Sequence, residues 1–233
     1  MAQHIGIVAC SAEGAALCYR TICIEGSNLM GGYAHPEVSM HTHPFNEYMR
    51  HIEAEDWNNV ADLMLSSVGK LAKIGADFVI SPDNTIHNAF DRVVERSPLP
   101  WLHIAQEVAM EAARQDYRRV GVLGTRYLME GTVYPSKLDP MGIEHIIPEP
   151  DERERINEII FSELVCGRFT AESRGYFAEV INGLKNQGCD AVVLGCTEIP
   201  LLITEEDSPL PTLDSTRLLA RAALRRAIDF ASQ

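Results

Sequence analysis

The sequence predicts an α/β fold built from two similar halves, each with its own parallel sheet. Two observations support this prediction. Residues 75–85 (GADFVISPDNT) and 188–198 (GCDAVVLGCTE) both run from a Gly-x-Asp start through a short apolar stretch to a polar end, which is typical of a strand buried in a parallel sheet. The tetrapeptide Ser-Pro-Leu-Pro follows both copies, at residues 97–100 and 208–211. A repeat this long indicates a duplicated domain, because solenoid units run about 20 to 50 residues.

A strand is predicted to open each half. Residues 4–10 (HIGIVAC) and 119–125 (RVGVLGT) are similar in sequence, and each precedes its repeated segment by nearly the same distance. We therefore predict a first half of residues 1–103 plus 212–233 and a second half of residues 104–211. Because open α/β sheets bind ligands at the carboxyl ends of their strands, the active site is expected in the cleft between the halves.

Helices and further strands are predicted between these landmarks. The clearest helix covers residues 56–74, where apolar side chains recur at spacings of three and four along one face. The alternating residues 37–43 predict a strand, and Pro148-Glu149-Pro150 is interpreted as a break before the next element. The remaining predictions are helices over residues 15–25, 154–164 and 171–186, helices starting just after Asp83 and near Tyr127, a strand over residues 143–147, a short strand running into a helix over residues 101–114, and a final helix capped by Asp214 and ending near Phe230.

Composition and charge narrow the class of protein. The 233 residues are 46% hydrophobic and carry a net charge of −13, so the surface repels phosphate backbones and no nucleic-acid partner is expected. No segment approaches the roughly 20 apolar residues of a membrane span, and the N-terminus lacks the features of a signal peptide. We therefore expect a cytoplasmic protein without a membrane partner.

The placement of cysteine, histidine and lysine limits the chemistry. The six cysteines include no Cys-x-x-Cys pair, and we expect free thiols, five of them acting as small buried hydrophobic residues. Cys196 differs, because it lies between Gly195 and the polar pair Thr197-Glu198. His41-Thr42-His43 offers two imidazoles but no third ligand by spacing, so no metal is expected. The sequence has no phosphate-binding loop and no evident Schiff-base lysine, and no cofactor is expected.

Aligning the repeated segments places Asp83 opposite Cys196, each at the predicted carboxyl end of its strand. We interpret these residues as a reactive pair, because thiols and carboxyl groups are both suited to proton transfer. Reference pKa values of about 3.9 for Asp and about 8.5 for Cys leave the proton on Cys196 and Asp83 ionised. The neighbouring Asn84, Thr85 and Thr197 either bind a ligand or serve only as turn and helix caps.

Several motifs occur together in an order shared with a known family. They are Cys196-Thr197-Glu198 after a buried strand, Asn84-Thr85 at the matching place in the first half, the turn Gly124-Thr125-Arg126-Tyr127, and residues 148–170. In these motifs the chain resembles the cofactor-independent aspartate/glutamate racemases, in particular their amino-acid racemase branch. The resemblance covers essentially the whole chain. It implies two Rossmann-like domains of pseudo-twofold symmetry, an active site in the cleft between them, no cofactor, and commonly a homodimer.

The resemblance also implies roles for individual residues. It points to an amino-acid racemase for an aspartate- or glutamate-type substrate, with proton transfer at Cα. Cys196 is then the main acid/base, and Asp83 lies on the opposite side of the substrate. The residues expected to bind the substrate are Asn84, Thr85, Thr125, Thr197 and Glu198.

Two segments depart from the family pattern. Members that use two thiols carry Cys directly before Asn-Thr, whereas this chain carries Asp83. The loop after the first strand reads Ala9-Cys10-Ser11-Ala12-Glu13-Gly14, where many members have Gly-Gly-Met-Gly. Two alternatives to a racemase therefore stay open. One is a one-base lyase, decarboxylase or isomerase acting on a small carboxylate, and the other is a protein that binds an amino acid without turnover.

Overall fold

Strands and helices alternate along the chain. The computed structural model describes residues 2–229. Within these residues the order of elements is β1 (Ile5–Ala9), α1 (Ala12–Met30), β2 (Val38–Thr42), α2 (Phe45–Glu53), α3 (Trp57–Lys73), β3 (Phe78–Ile80), α4 (Phe90–Val94), α5 (Ile104–Arg114), β4 (Arg119–Leu123), α6 (Arg126–Met129), α7 (Pro135–Leu138), β5 (Glu144–Ile146), α8 (Pro150–Ser162), α9 (Ala171–Asn186), β6 (Ala191–Leu194), α10 (Ile199–Leu202), β7 (Thr212–Asp214) and α11 (Ser215–Asp229). Short 3-10 helices lie at Thr85–Ala89, Asp139–Met141 and Leu164–Cys166.

The described residues form two units. Residues 2–104 together with 216–229 make up the first unit, and Ala105–Ser215 make up the second. The division drawn from sequence places residues 212–215 in the first half. The structure groups them with the second unit, because β7 pairs with β6 there.

Each unit contains one parallel sheet. The first sheet has the strand order β2-β1-β3 and the second has the order β5-β4-β6-β7, and every neighbouring pair is parallel. The inner strands β1 and β6 are buried along their whole length, as expected for parallel sheets covered on both faces, and so is the edge strand β3. The predicted α/β class with parallel sheets is confirmed.

The repeated Gly-x-Asp segments make the same contacts in both units. Asp77 Oδ2 accepts a hydrogen bond from the backbone N–H of His4 at 2.7 Å. In the second unit Asp190 Oδ2 accepts one from the backbone N–H of Arg119 at 3.0 Å. Each carboxylate thereby fixes the start of its own strand beside the first strand of the unit.

The two Ser-Pro-Leu-Pro segments are also equivalent in structure. In each, the serine hydroxyl donates to the carbonyl two residues later, at 2.7 Å from Ser97 and 2.6 Å from Ser208. The last proline carbonyl accepts a hydrogen bond from the neighbouring strand, from Val79 in the first unit and from Val192 in the second, both at 2.9 Å. The chain then continues as β7 in the second unit but only as an isolated bridge at Trp101 in the first. The sequence repeat therefore corresponds to a repeat in backbone hydrogen bonding.

The long helices form where their apolar spacing predicts them. α3 buries the expected stripe, and Asp56 caps it by accepting a hydrogen bond from the backbone N–H of Asn59 at 3.1 Å. α9 has the predicted bounds, residues 171–186. α11 is also confirmed, although its predicted end at Phe230 lies outside the described residues. Among the described residues, no helix combines the length and apolar content needed to cross a membrane.

Several elements differ from the sequence-based predictions. α1 runs to Met30 rather than to residue 25, and the four-residue helices α7 and α10 were not predicted. α8 begins at Pro150 rather than at residue 154, because Glu149 and Glu152 form a capping box and proline is favoured at a helix start. The short helix α2 was not predicted, since its nine residues hold only two buried side chains, Tyr48 and Ile52. β7 was not predicted either, because its three residues directly follow the Ser-Pro-Leu-Pro segment.

Candidate active site

Cys196 follows β6 in the second unit and lies beside a buried carboxylate. Its Sγ donates a hydrogen bond to Glu198 Oε2 at 3.0 Å, and the Thr197 hydroxyl donates to the same oxygen at 3.1 Å. Cys196 is 9% exposed, and Glu198 and Thr197 are each 2% exposed. A thiol, a hydroxyl and a carboxylate are thus held together within one turn at the carboxyl end of the strand.

Gly195 sets the position of this turn. Its backbone N–H donates to the Leu123 carbonyl at 2.7 Å, and a Cβ added at Gly195 would lie 2.6 Å from that carbonyl oxygen. Only glycine permits so close an approach of β6 to β4. Thr125, two residues beyond Leu123, therefore lies at the same sheet edge as Cys196. Its Oγ1 accepts a hydrogen bond from the backbone N–H of Leu128 at 3.3 Å, which caps α6.

Asp83, Asn84 and Thr85 follow β3 in the first unit, at the place that matches Cys196. Asp83 is partly buried, and its Oδ1 accepts a hydrogen bond from the backbone N–H of Ile86 at 3.1 Å. Asn84 and Thr85 are 2% and 8% exposed. His87 Nδ1 donates to the Asp83 carbonyl at 2.7 Å, so this buried histidine fixes the loop.

Two further side chains of the first unit share the sheet edge of Asp83. Cys10 follows β1, the neighbour of β3 in the sheet, and Tyr48 lies in the first turn of α2, directly after the adjacent strand β2. Burial raises the pKa of the Tyr48 hydroxyl well above its usual value, and the acidic groups of Cys10 and Asp83 raise it further. Sequence reasoning missed both residues, since it took Cys10 for a buried hydrophobic residue and did not predict α2.

Four buried side-chain atoms in the described residues have no hydrogen-bond partner. They are His43 Nε2, Tyr48 Oη, Glu198 Oε1 and Thr216 Oγ1. All four belong to segments that directly follow the carboxyl end of a strand: β2 for the first two, β6 for Glu198 and β7 for Thr216. A buried polar atom without a partner costs roughly 1–3 kcal/mol. All four atoms therefore lie near the carboxyl edges of the sheets, where open α/β sheets bind their ligands.

Of the two histidines at the end of β2, His41 is hydrogen-bonded at both ring nitrogens. His41 Nδ1 lies 2.9 Å from Ser67 Oγ, and His41 Nε2 lies 2.9 Å from Lys70 Nζ. Burial, followed by the charge of Lys70, lowers the pKa of both His41 and His43. Within residues 2–229, no three metal-binding side chains are grouped as a metal site requires.

Similarity to known proteins extends over most of the chain. The sequence model of the Asp/Glu/Hydantoin racemase family matches residues 25–223. The chain belongs to this racemase family. Among curated relatives, the broad specificity amino-acid racemase RacX of Bacillus subtilis strain 168 is 23% identical over 177 residues, which are 76% of this chain and 76% of RacX.

Solved structures of the racemase family share the whole fold. A candidate Asp/Glu racemase from Yersinia pestis has a TM-score of 0.87 at 33% identity, with 99% of this chain and 100% of that chain covered. PH1733, an aspartate racemase homologue from Pyrococcus horikoshii OT3, has a TM-score of 0.81 at 28% identity, with both chains covered completely. The resemblance noted in the sequence and the two-domain fold that it implies are therefore confirmed.

In this racemase-family fold, the residues expected at the site form two groups, one in each unit. The group in the first unit follows β3, and the group in the second unit follows β4 and β6. Within each group the side chains share one sheet edge. The first group consists of Asp83, Asn84 and Thr85, and the second of Thr125, Cys196, Thr197 and Glu198.

Proposed function

We propose that this chain is a cofactor-independent amino-acid racemase for an aspartate- or glutamate-type substrate. Membership of the racemase family supports the reaction type. The observation that carries the proposal is the Cys196 thiol, hydrogen-bonded at 3.0 Å to the buried Glu198 carboxylate at the end of β6. A buried, oriented thiol at a strand end is suited to proton transfer, and a purely structural cysteine would not need a carboxylate partner.

In the proposed reaction, Asp83 and Cys196 exchange protons with the substrate Cα. The Asp83 carboxylate takes the Cα proton of one enantiomer, and the Cys196 thiol delivers its own proton to the other face. Asp83 is then protonated and Cys196 is a thiolate, which is the state needed to convert the second enantiomer by the reverse transfers. The mechanism requires that the two side chains reach opposite faces of the same Cα.

Substrate binding is proposed for the polar side chains beside the reactive pair. Glu198 Oε1 is buried and has no hydrogen-bond donor, so it would accept a hydrogen bond from the substrate ammonium group. The short donors Asn84, Thr85 and Thr197 would bind the α-carboxylate, with Thr125 as a further donor. Asn84, Thr85 and Thr197 are almost fully buried, and in a low-dielectric setting their hydrogen bonds to an ion are strong.

Solvent deuterium distinguishes this proposal from its alternatives. Each enantiomer of aspartate and glutamate is incubated with the protein in D2O, and Cα deuterium and enantiomer ratio are measured over time. A racemase incorporates deuterium at Cα and inverts it. A one-base enzyme labels Cα with retention or converts the substrate to another product, and a binding protein without turnover does neither. Deuterium uptake without inversion for all four compounds would contradict the proposal.

We further propose that the protein is a cytoplasmic homodimer. The racemase family supports the dimer, and the six free cysteines support a reducing compartment, where thiols stay unpaired. Fractionation of cells that express the protein tests the location, since the proposal requires recovery with a cytoplasmic marker.

A further inference from the structure

Tyr48 carries one of the buried side-chain atoms without a hydrogen-bond partner, at the carboxyl edge of the first sheet. The residue is 0% exposed, and its hydroxyl has no hydrogen-bond partner. It lies in the first turn of α2, directly after β2, so it shares the carboxyl edge of the sheet with Cys10 after β1 and Asp83 after β3. The mechanism proposed above does not use Tyr48.

The Tyr48 hydroxyl has no partner that meets hydrogen-bond geometry among the described residues. Ser67 is near enough that its hydroxyl, as a donor to the ionised phenol, lowers the pKa of Tyr48, and Ser67 Oγ also lies 2.9 Å from His41 Nδ1. Burial, together with Cys10 and Asp83, raises the pKa of Tyr48 so far that the phenol stays protonated at working pH. Tyr48 is therefore a neutral hydrogen-bond donor whose hydroxyl makes no hydrogen bond of good geometry in the structure.

We propose that the Tyr48 hydroxyl donates a hydrogen bond to a carboxylate oxygen of the bound amino acid, beside Asp83. This inference rests on the proposed function, and it adds a substrate-binding residue to the first unit. A neutral donor fits this position, because it binds an anionic group beside the Asp83 carboxylate without forming an ion pair with that carboxylate. The inference also gives the buried hydroxyl a role that a phenylalanine side chain could not fill.

The test compares Tyr48→Phe with two matched variants that each lose one hydroxyl. Tyr117→Phe alters a tyrosine just before the amino end of β4, at the opposite end of the strand from Thr125. Tyr134→Phe alters another buried tyrosine, whose hydroxyl is hydrogen-bonded to Ser215. The measurements are KM and kcat for both enantiomers of aspartate and glutamate, the dissociation constants by calorimetry, and the melting temperature without ligand.

We expect Tyr48→Phe to raise KM and the dissociation constant roughly 10- to 100-fold, as for loss of a hydrogen bond to a charged group, with a smaller effect on kcat. Tyr117→Phe should keep the parental values. Without ligand, Tyr48→Phe should leave the melting temperature unchanged or higher, because it removes an unpaired buried group. Tyr134→Phe should lower the melting temperature, because it breaks a formed hydrogen bond.

The outcomes separate this inference from the proposed function. If the parent racemises one of these amino acids and Tyr48→Phe keeps the parental KM and dissociation constant, the inference is wrong and the racemase proposal stands. If Tyr48→Phe lowers the melting temperature as much as Tyr134→Phe, the hydroxyl is paired without ligand, which also overturns the inference. A parent that neither binds nor labels any of the four amino acids overturns the proposed function and, with it, this inference.

Discussion

Cys196 and Asp83 occupy matching positions in the repeat, yet their surroundings differ. The Cys196 thiol donates to the side-chain carboxylate of Glu198, whereas one oxygen of Asp83 accepts a backbone hydrogen bond from Ile86. The thiol is thus oriented by an acceptor, and the carboxylate is held by a donor. The two units therefore present chemically unequal groups at equivalent strand ends.

Replacing Cys196 by serine tests the thiol directly. We expect Cys196→Ser to lower kcat at least about 100-fold, since a positioned acid/base contributes roughly 100- to 10,000-fold. Ligand binding and the melting temperature should stay close to parental values, because serine keeps the size of the side chain and its hydrogen bond to Glu198. Cys166→Ser is the matched control, since Cys166 is an exposed free thiol and its loss should leave kcat unchanged. Parental turnover in Cys196→Ser would rule out the mechanism.

Two substitutions at Asp83 test whether it carries protons. Asp83→Asn removes the base while keeping the shape, and it should abolish inversion while leaving any Cα exchange driven by Cys196. Asp83→Cys should raise racemase activity, because two thiols have closely matched pKa values. Rates of deuterium incorporation and of inversion are measured separately. If the Asp83→Asn variant inverts its substrate at the parental rate, the two-base mechanism is wrong. The family assignment would be unaffected.

Asp83 and Cys196 became candidates from the sequence because the repeat aligns them with one another. Tyr48 could not be predicted in the same way. It has no counterpart among the repeated segments, and it lies on a helix with only one other buried residue, Ile52. Its proximity to Asp83 depends on the order β2-β1-β3, which local sequence does not determine.

At the level of elements, the close approach of β6 and β4 depends on one glycine. A methyl group at Gly195 would lie 2.6 Å from the Leu123 carbonyl oxygen and 2.6 Å from Leu128 Cδ2. One of these contacts is with backbone, so the two strands would have to separate, and Cys196 follows directly. We therefore expect Gly195→Ala to disturb the candidate site as well as the sheet.

The prediction is that Gly195→Ala lowers the free energy of unfolding by roughly 1–3 kcal/mol, as for other overpacked sites, and also lowers kcat. Gly183→Ala provides the matched control. Gly183 lies within α9, and an added Cβ there meets no atom within 4 Å, so alanine should raise the free energy of unfolding by up to about 1 kcal/mol. Urea denaturation measures both changes. Equal stability of the two variants would show that β6 and β4 tolerate separation.

Elements with strong periodicity were predictable and short ones were not. α3 and α9 follow from apolar spacing alone, since each is long enough to show a continuous buried stripe. The three-residue strand β7 is defined by its hydrogen bonds to β6, and its own composition does not favour a strand. Proline at the start of α8 was interpreted as a break, whereas the capping box makes it part of the helix.

For the whole molecule, the oligomeric state is a prediction that follows from the racemase family. We expect a homodimer at micromolar concentration, so light scattering should give twice the chain mass of 25.9 kDa. A dilution series provides the control, because a specific dimer keeps its mass over a range of concentrations and then dissociates. A mass of 25.9 kDa throughout the series would contradict the prediction.

The last helix that the structure describes completes the first unit. Leu219, Ala220 and Ala223 of α11 belong to the same core cluster as side chains of β1 and β3, and Arg221 donates hydrogen bonds to both carboxylate oxygens of Glu25 in α1. During synthesis on the ribosome, the first unit therefore lacks part of its core until the entire second unit has emerged. The second unit is one continuous segment of the chain, so it can fold before α11 is synthesised. We therefore expect the second unit to complete its folding before the first, which reverses the usual N-terminal-first order.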